Sequence, residues 1–226
     1  MVGEPPAELD RSGLAFAVTL VATQLIDVLT AESLSLVDLV ASHFVEVVEH
    51  ADILLGGVTW ALIVGCHLVW RFADHNRYCQ LLAVATGFST AGLVLNIVGL
   101  VGSLLDGRVN AAYLLLDAAL VYASNILLFT VWYWLLDHRS QASRALDQPT
   151  RQVLVFPQNA ASYEGHDRWQ SGYVDYLFLA FNTSSTFGPT ETLPLTSAVK
   201  VAMMAQVTIS LVVLVILAAR AIGLIQ

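Results

Sequence analysis

Five long apolar runs alternate with more polar segments along the chain. The runs cover residues 12–26, 53–70, 78–105, 109–136 and 201–219. A bilayer core about 30 Å thick is crossed by roughly 20 apolar residues in an α-helix, which satisfies its own backbone hydrogen bonds. The pattern therefore predicts an all-α integral membrane protein with about five transmembrane helices. We expect the first helix to be retained, because no small-residue cleavage site accompanies Gln24 and Asp27.

Two polar segments divide these runs. Residues 32–52 carry five acidic residues and no Lys or Arg, and their apolar positions recur at helical spacing. They predict an amphipathic helix that lies at the membrane interface or extends a membrane helix. Its acidic residues would form either an ordinary solvated face or a vestibule that attracts cations. Residues 138–172, with Pro149, Pro157 and Gly165, predict a water-exposed polar linker. The predicted units are a four-helix transmembrane region at 1–137, this linker, and a C-terminal module at 173–226.

Composition narrows the class of protein. Apolar residues make up 57% of the chain and charged residues 12%, about half the charged share of an average soluble domain. The net charge is −8 and the ten basic residues are scattered singly, so a nucleic-acid partner is not expected. Two cysteines do not make a disulfide framework. No metal-ligand spacing and no oriented catalytic set is present, so we expect neither a metal site nor an enzyme.

The segment at residues 173–196 differs from the rest. Its apolar part, residues 176–181, is too short to cross a bilayer. A hydroxyl-rich run at 183–186 follows, then Phe187, Gly188 and Pro189, which would interrupt a helix. A short helix, a polar turn and a full helix together predict a re-entrant loop. Irregular backbone at membrane depth must be buried by protein or line water, so we expect residues 183–191 to line a wet cavity.

This segment resembles the pore module of the potassium-channel superfamily, whose filter follows a short aromatic-rich helix. The resemblance extends from Tyr173 to Arg220. Other parts, the helix at 124–134 and the Phe-Pro-Gln at 156–158, resemble an uncharacterised group of bacterial multi-pass membrane proteins. Without a gap, the filter and ion-binding positions fall on Thr183, Ser185, Thr186, Phe187, Gly188, Pro189, Thr190 and Glu191. The resemblance also implies that Gln206 and Ser210 line the pore.

Two departures from the family pattern change what the resemblance implies. Pro189 stands where the family has Tyr, and Thr190 stands where it has its second Gly. Pro fixes φ and Thr is β-branched, so a full row of carbonyl sites for potassium is not expected. The resemblance implies a homotetrameric, cation-permeable channel in which Thr186 and Gly188 supply ligands for K⁺ or Na⁺ and a ring of Glu191 carboxylates attracts cations. Potassium selectivity is not implied.

Membrane orientation gives two conflicting expectations. Potassium channels insert the pore loop from outside, which would put the linker and its Arg139, Arg144, Arg151 and Arg168 outside. The positive-inside rule puts this linker, and the loop with Arg71 and Arg77, in the cytoplasm. The loop would then enter from the cytoplasm, as in glutamate receptors.

Polar residues inside the fourth run offer a different function. Asp117 interrupts this run, and a charge at a helix centre costs about 2.5–3.5 kcal/mol on translocon scales. Asn125 lies two turns further on the same face. The pair would form either a proton or cation relay or a polar clamp to Asn96, His67 or Arg220. Trp132, Tyr133 and Trp134, at the end of the run, predict an interfacial aromatic belt.

Three hypotheses follow for a multi-pass protein of the plasma or bacterial inner membrane. The first is the tetrameric cation channel, with membrane lipid and copies of itself as partners. The alternatives are a proton-coupled transporter or small-solute permease centred on Asp117, and a non-conducting membrane scaffold.

Overall fold

The computed structural model describes residues 7–35, 42–72, 75–106, 111–145, 152–160, 169–189 and 191–223. Seven helices and two short strands occur in these ranges. The helices are α1 (Ala7–Ser35), α2 (Ser42–Phe72), α3 (His75–Asp106), α4 (Ala111–Ala145), α5 (Pro157–Ala160), α6 (Tyr173–Thr186) and α7 (Ser197–Gly223). Strands β1 (Leu154–Val155) and β2 (Leu193–Pro194) pair antiparallel, with Val155 opposite Leu193.

Four helices contain a stretch that is long and apolar enough to cross a membrane. These stretches, found among the described residues, are Gly13–Thr30, Asn76–Leu104, Ala112–His138 and Ser197–Ile222. Helix α2 contains a shorter apolar stretch, Leu54–Val69. Large apolar side chains such as Leu54 and Val215 are exposed on these helices, as lipid-facing positions require. The predicted all-α membrane architecture agrees with this structure.

The two ends of the bundle can be told apart by their contacts. At one end, called end A here, Tyr78 near the start of α3 donates to the Gly13 carbonyl of α1 at 2.6 Å. Phe16 of α1 stacks on Trp134 near the end of α4, at 4.6 Å between ring centroids. At the opposite end, end B, Arg220 of α7 donates to carbonyl groups near the end of α3. Helices α1, α3 and α7 therefore begin at end A, and α4 ends there.

Helix α4 lies in the middle of the packing and is longer than predicted. It contacts α1, α3, α6 and α7, and its stretch Ala112–His138 is the most buried of the four membrane stretches. It continues past the predicted boundary at residue 137 to Ala145, because residues 138–145 contain neither Pro nor Gly and include good helix formers. The predicted polar linker therefore begins as helix, and it also contains β1 and α5.

Two further expectations are changed by the tertiary contacts. The amphipathic segment at 32–52 is divided, since residues 32–35 end α1 and residues 42–52 begin α2, while 36–41 lie outside the described residues. Tyr133 and Trp134 are fully buried, and Trp132 donates to Thr90 of α3 at 3.0 Å. These aromatic side chains pack between helices, so they do not form the predicted belt.

Candidate functional site

Helix α6 is anchored at end A by polar and aromatic contacts of its first turn. Asp175 accepts a hydrogen bond from the backbone N–H of Gly172 at 2.7 Å, which satisfies one N–H at the helix start. Burial raises the pKa of the Asp175 carboxyl above its ordinary value, and the bond from Gly172 acts in the opposite direction. Tyr176 donates to Asp137 of α4 at 2.9 Å. The start of α6 is thus held against the end of α4.

Aromatic rings strengthen the same anchor. Phe16 of α1 lies 5.2 Å from the Tyr173 ring and 6.1 Å from the Tyr176 ring, measured between centroids. Phe156, which follows β1, meets the Tyr176 ring edge-on at 5.6 Å. Edge-to-face pairs of this kind contribute about 0.5–1.5 kcal/mol beyond the area that they bury. The linker, α1, α4 and α6 therefore form one packed cluster.

The hydroxyl-rich run of the predicted filter is helical. Thr183, Ser185 and Thr186 each donate to the carbonyl four residues earlier, at 2.7–2.8 Å. Thr186 also donates to the Gly188 carbonyl at 3.1 Å. A helix directs its carbonyls along its own axis, so residues 183–186 do not present the extended row of carbonyls that a potassium filter uses. Of these residues Ser185 and Thr186 are exposed, and the polar side-chain atoms that they present are hydroxyl oxygens.

Helix α6 ends in an unusual backbone conformation. Phe187 has φ 60° and ψ 30°, in the left-handed region, and its ring is exposed. A side chain there costs about 1–2 kcal/mol relative to ordinary helical geometry, and Gly is the residue normally found at this position. Gly188, the next residue, has open space where a Cβ would lie. The strain of the turn thus falls on Phe187 and not on the neighbouring glycine.

The chain returns toward end A after this turn. The Thr192 N–H donates to the Pro189 carbonyl at 3.2 Å, and the Leu195 N–H donates to the Val153 carbonyl at 3.0 Å. The pairing of β2 with β1 places residues 193–194 beside the segment that follows α4. Helix α7 begins three residues later, at Ser197.

A buried polar network joins α6 to α7 and α4. The Gln206 amide nitrogen donates to the Ala180 carbonyl at 2.8 Å and to Ser184 Oγ at 2.7 Å. The Gln206 carbonyl oxygen accepts a hydrogen bond from the Tyr133 hydroxyl. One turn further along α7, Ser210 Oγ accepts from the Asn125 amide at 2.9 Å. Side chains of three helices therefore satisfy one another inside a single chain.

The predicted filter and pore-lining residues occupy different environments. Thr183, Gln206 and Ser210 are fully buried within the protomer. Gln206 and Ser210 were expected to line a pore, but they face α4 and α6, because the Tyr133 and Asn125 side chains supply their hydrogen-bond partners. The exposed and half-buried predicted filter residues are Ser185, Thr186, Phe187, Gly188, Pro189 and Glu191. Thr190 lies outside the described residues.

The exposed face of α7 consists of other residues. Val201, Met204, Leu211 and Val215 are exposed on it, and Thr208 lies among them with its hydroxyl donating to the Met204 carbonyl at 2.9 Å. In α6, the side chains of Val174, Phe178 and Phe181 are exposed as well. The rest of the described chain does not cover these side chains of α6 and α7.

The polar residues Asp117 and Asn125, which were predicted to act as a pair, lie in different surroundings. Asp117 is buried in the second turn of α4, near end B, and Asn125 belongs to the α7 network. Two of the proposed clamp partners bond elsewhere: Asn96 donates to Asp27 of α1 at 2.5 Å, and Arg220 donates to the Ser103 and Leu104 carbonyls. Asp27 is not among the polar residues that the sequence predicts to act inside the membrane. Its spacing from Gln24, on the same face of α1, is the signal that would have identified it.

Comparisons with protein-family models, with curated proteins and with solved structures give no match.

Proposed function

We propose that this protein is a homo-oligomeric membrane channel for monovalent cations, with α6 and residues 187–196 as a re-entrant segment beside the conduction pathway. In this proposal α2 is the fifth transmembrane helix, and the protein lies in the plasma or bacterial inner membrane. The observation that carries the proposal is the exposure of Ser185 and Thr186 directly beside Ser184, which contacts Gln206 inside the bundle.

The depth of these hydroxyl groups supports the proposal. Gln206 is nine residues from the start of α7, or about 14 Å along the helix at 1.5 Å per residue. Ser184 Oγ lies 2.7 Å from its amide nitrogen, so Ser185 and Thr186 lie at a similar depth. Leu193, which pairs with β1 at end A, lies seven positions after Thr186. An extended chain of that length spans up to about 23 Å, enough for the return.

The direction of the hydroxyl protons favours cations. Ser185, Thr186 and Thr208 each donate their proton to a backbone carbonyl of their own helix. Each oxygen therefore offers only lone pairs to whatever lies outside the protomer. The carboxylate of Glu191 is exposed in the turn that follows. Hydroxyl oxygens with a carboxylate at the entrance attract cations and repel anions.

The uncovered surface of α6 and α7 supports assembly with further copies of the chain. Lipid would cover Val201, Met204 and Val215 without cost, but Glu191 and the deep hydroxyl oxygens need water or protein partners. One re-entrant segment forms part of a pore wall, so symmetry-related copies around an axis complete it. A tetramer is the assembly that the potassium-channel resemblance implies.

Charge distribution supports entry of the segment from the cytoplasm. Among the basic residues that the structure describes, Arg220 lies at end B. Arg11 near the start of α1, Arg71 at the end of α2, Arg77 at the start of α3, Arg139 and Arg144 in the last turns of α4 and Lys200 in the first turn of α7 all belong to helix ends at end A. Basic residues accumulate on the cytoplasmic side, so end A is cytoplasmic in this proposal.

Ion flux in liposomes tests the channel. We expect purified protein to conduct Na⁺ and K⁺ with little discrimination and to exclude Cl⁻. Thr186→Val and Glu191→Gln each lower cation flux at least fivefold. Thr59→Val is the matched control, because the Thr59 hydroxyl also donates to the carbonyl four residues earlier, at 2.7 Å, but lies on α2, away from α6. Its flux stays at the wild-type level.

Other results would favour the alternatives. Flux that requires a proton gradient and is lost in Asp117→Asn supports the transporter hypothesis. A folded protein that is monomeric in native mass spectrometry and silent in liposomes contradicts the channel and leaves the scaffold.

Orientation is tested separately with Glu191→Cys in a Cys66→Ser, Cys79→Ser background. A membrane-impermeant maleimide labels it only from the cytoplasmic side if end A is cytoplasmic. Labelling from outside would refute this orientation.

A further inference from the structure

A second polar cluster lies between α1, α3 and α4, on a different side of α4 from the Gln206 network. Asp27 Oδ1 accepts a hydrogen bond from Asn96 of α3 at 2.5 Å, and Asp27 Oδ2 accepts from Gln24 at 2.8 Å. Gly92, one turn before Asn96, also adjoins this carboxylate, since a Cβ there would lie in van der Waals contact with Asp27 Oδ1, at 3.4 Å.

A small cavity adjoins this carboxylate. Its volume is about 10 Å³, close to the minimum room for one water molecule. Leu93, Val121 and Leu128 form its apolar wall. The oxygen-bearing side chains that line it include Thr23, Gln24, Asp27, Ser89, Asn96 and Ser124.

Oxygen atoms around the cavity are arranged as acceptors. Ser89 Oγ is buried and has no hydrogen-bond partner in the described part of the chain. The Thr23 hydroxyl donates its proton to the Leu20 carbonyl at 2.9 Å, so its oxygen has only lone pairs left. A carboxylate offers about four lone-pair positions, and the hydrogen bonds from Asn96 and Gln24 use two of those on Asp27. The cavity is therefore suited to a positively charged occupant.

We propose that this cavity binds one dehydrated sodium ion, with Asp27 as its anionic ligand and the Ser89 and Thr23 hydroxyls as neutral ligands. The single carboxylate balances one positive charge and removes the cost of an isolated charge at this depth. The site is independent of the channel proposed above, since it uses α1, α3 and α4 and none of the α6–α7 residues.

The ligand set favours sodium over divalent cations. Ca²⁺ takes about six to eight oxygen ligands, commonly from several carboxylates, and Mg²⁺ keeps several of its waters, whereas Asp27 is the single carboxylate that lines this cavity. Among the described residues, no three His, Cys, Asp or Glu side chains lie close enough to hold a metal ion, as a zinc site would require. K⁺ is larger than Na⁺ and would have to widen the contact between α1 and α3.

Thermal unfolding of the purified protein in detergent, at neutral pH and constant ionic strength, tests the site. Replacing choline chloride with NaCl raises the Tm progressively, because an ion that binds only the folded state stabilises it by mass action. At least tenfold more KCl is needed for the same shift. Binding of radioactive sodium saturates at one ion per chain. Asp27→Asn abolishes both effects, whereas the matched control Asp175→Asn, at the start of α6, keeps them.

Ser89→Ala separates ion binding from folding. Its hydroxyl has no partner to lose, so the Tm in choline chloride stays the same or rises. The sodium dissociation constant nevertheless rises about tenfold, or about 1.4 kcal/mol. The proposal is overturned if NaCl gives no more stabilisation than choline chloride, if KCl is as effective as NaCl, or if Ser89→Ala binds sodium as tightly as the wild type. Each of these results is independent of whether the protein conducts.

Discussion

Replacing Gln206 with Leu removes a side chain of α7 that hydrogen-bonds to both α4 and α6. Leu is similar in size, so the main loss is three hydrogen bonds, to the Ala180 carbonyl, Ser184 Oγ and the Tyr133 hydroxyl. A side-chain hydrogen bond between membrane helices contributes about 0.6 kcal/mol on average, and typical bonds in proteins contribute about 0.5–1.5 kcal/mol. Three bonds, with their partners left unpaired, correspond to a loss of roughly 2–4 kcal/mol.

Unfolding in mixed micelles by increasing fractions of SDS, followed by far-UV circular dichroism, measures this free energy. Tyr133→Phe alone removes one bond and costs roughly 1 kcal/mol. The double variant with Gln206→Leu costs about 1 kcal/mol less than the sum of the single variants, because both remove the same bond. Thr208→Val, at an exposed position half a turn away, is the control and changes the free energy of unfolding by less than about 0.5 kcal/mol.

The potassium-channel resemblance makes the opposite prediction for the same variant. If Gln206 lined a water-filled cavity, Gln206→Leu would change ion flux and leave the free energy of unfolding nearly unchanged. A cost below about 0.5 kcal/mol, together with additive effects of Gln206→Leu and Tyr133→Phe, would refute the buried network and the packing of α6 against α7 derived from it.

Three further predictions concern the ends of the helices. Phe187→Gly relieves the strain of the left-handed backbone and raises the free energy of unfolding by roughly 0.5–1 kcal/mol in the same assay, after the larger chain entropy of Gly is subtracted. Phe187→Val lowers the free energy of unfolding, because Val is β-branched. Equal effects of the two variants would contradict the left-handed conformation of Phe187. Arg220→Leu removes the guanidinium that donates to the Ser103 and Leu104 carbonyls at 3.2 and 3.3 Å. The Tm falls by an amount equivalent to roughly 1–2 kcal/mol, and Arg220→Lys recovers part of this loss. Because burial raises the pKa of Asp175 in the folded state, its contribution to stability is present below the ordinary Asp pKa of about 3.9 and is lost as the pH rises through the raised value. The pH dependence of the Tm therefore differs between the wild type and Asp175→Asn in this range, and identical profiles would contradict the shift.

Local properties of the sequence account for the helices and for the break before α7. Runs such as residues 78–105 and 201–219 are apolar over more than a bilayer thickness, and a helix is the conformation that satisfies their backbone in lipid. Phe187, Gly188 and Pro189 end α6 because Pro does not continue a helix interior. These features depend on neighbours in the sequence, so they could be predicted from it. The end of α4 was predicted at residue 137, where polar residues begin, but the helix continues to Ala145.

Tertiary structure decided which polar side chains meet. Gln206 and Tyr133, which form a hydrogen bond, are 73 residues apart in the sequence, and Asp27 and Asn96 are 69 residues apart. The periodicity within one helix does not identify such partners. The resemblance assigned Gln206 and Ser210 to a pore, but the helix packing turned them toward α4 and α6 and left Thr208 exposed. In hydrocarbon a polar group is stable only where a partner is present, so the face that each helix buries follows from the positions of its neighbours.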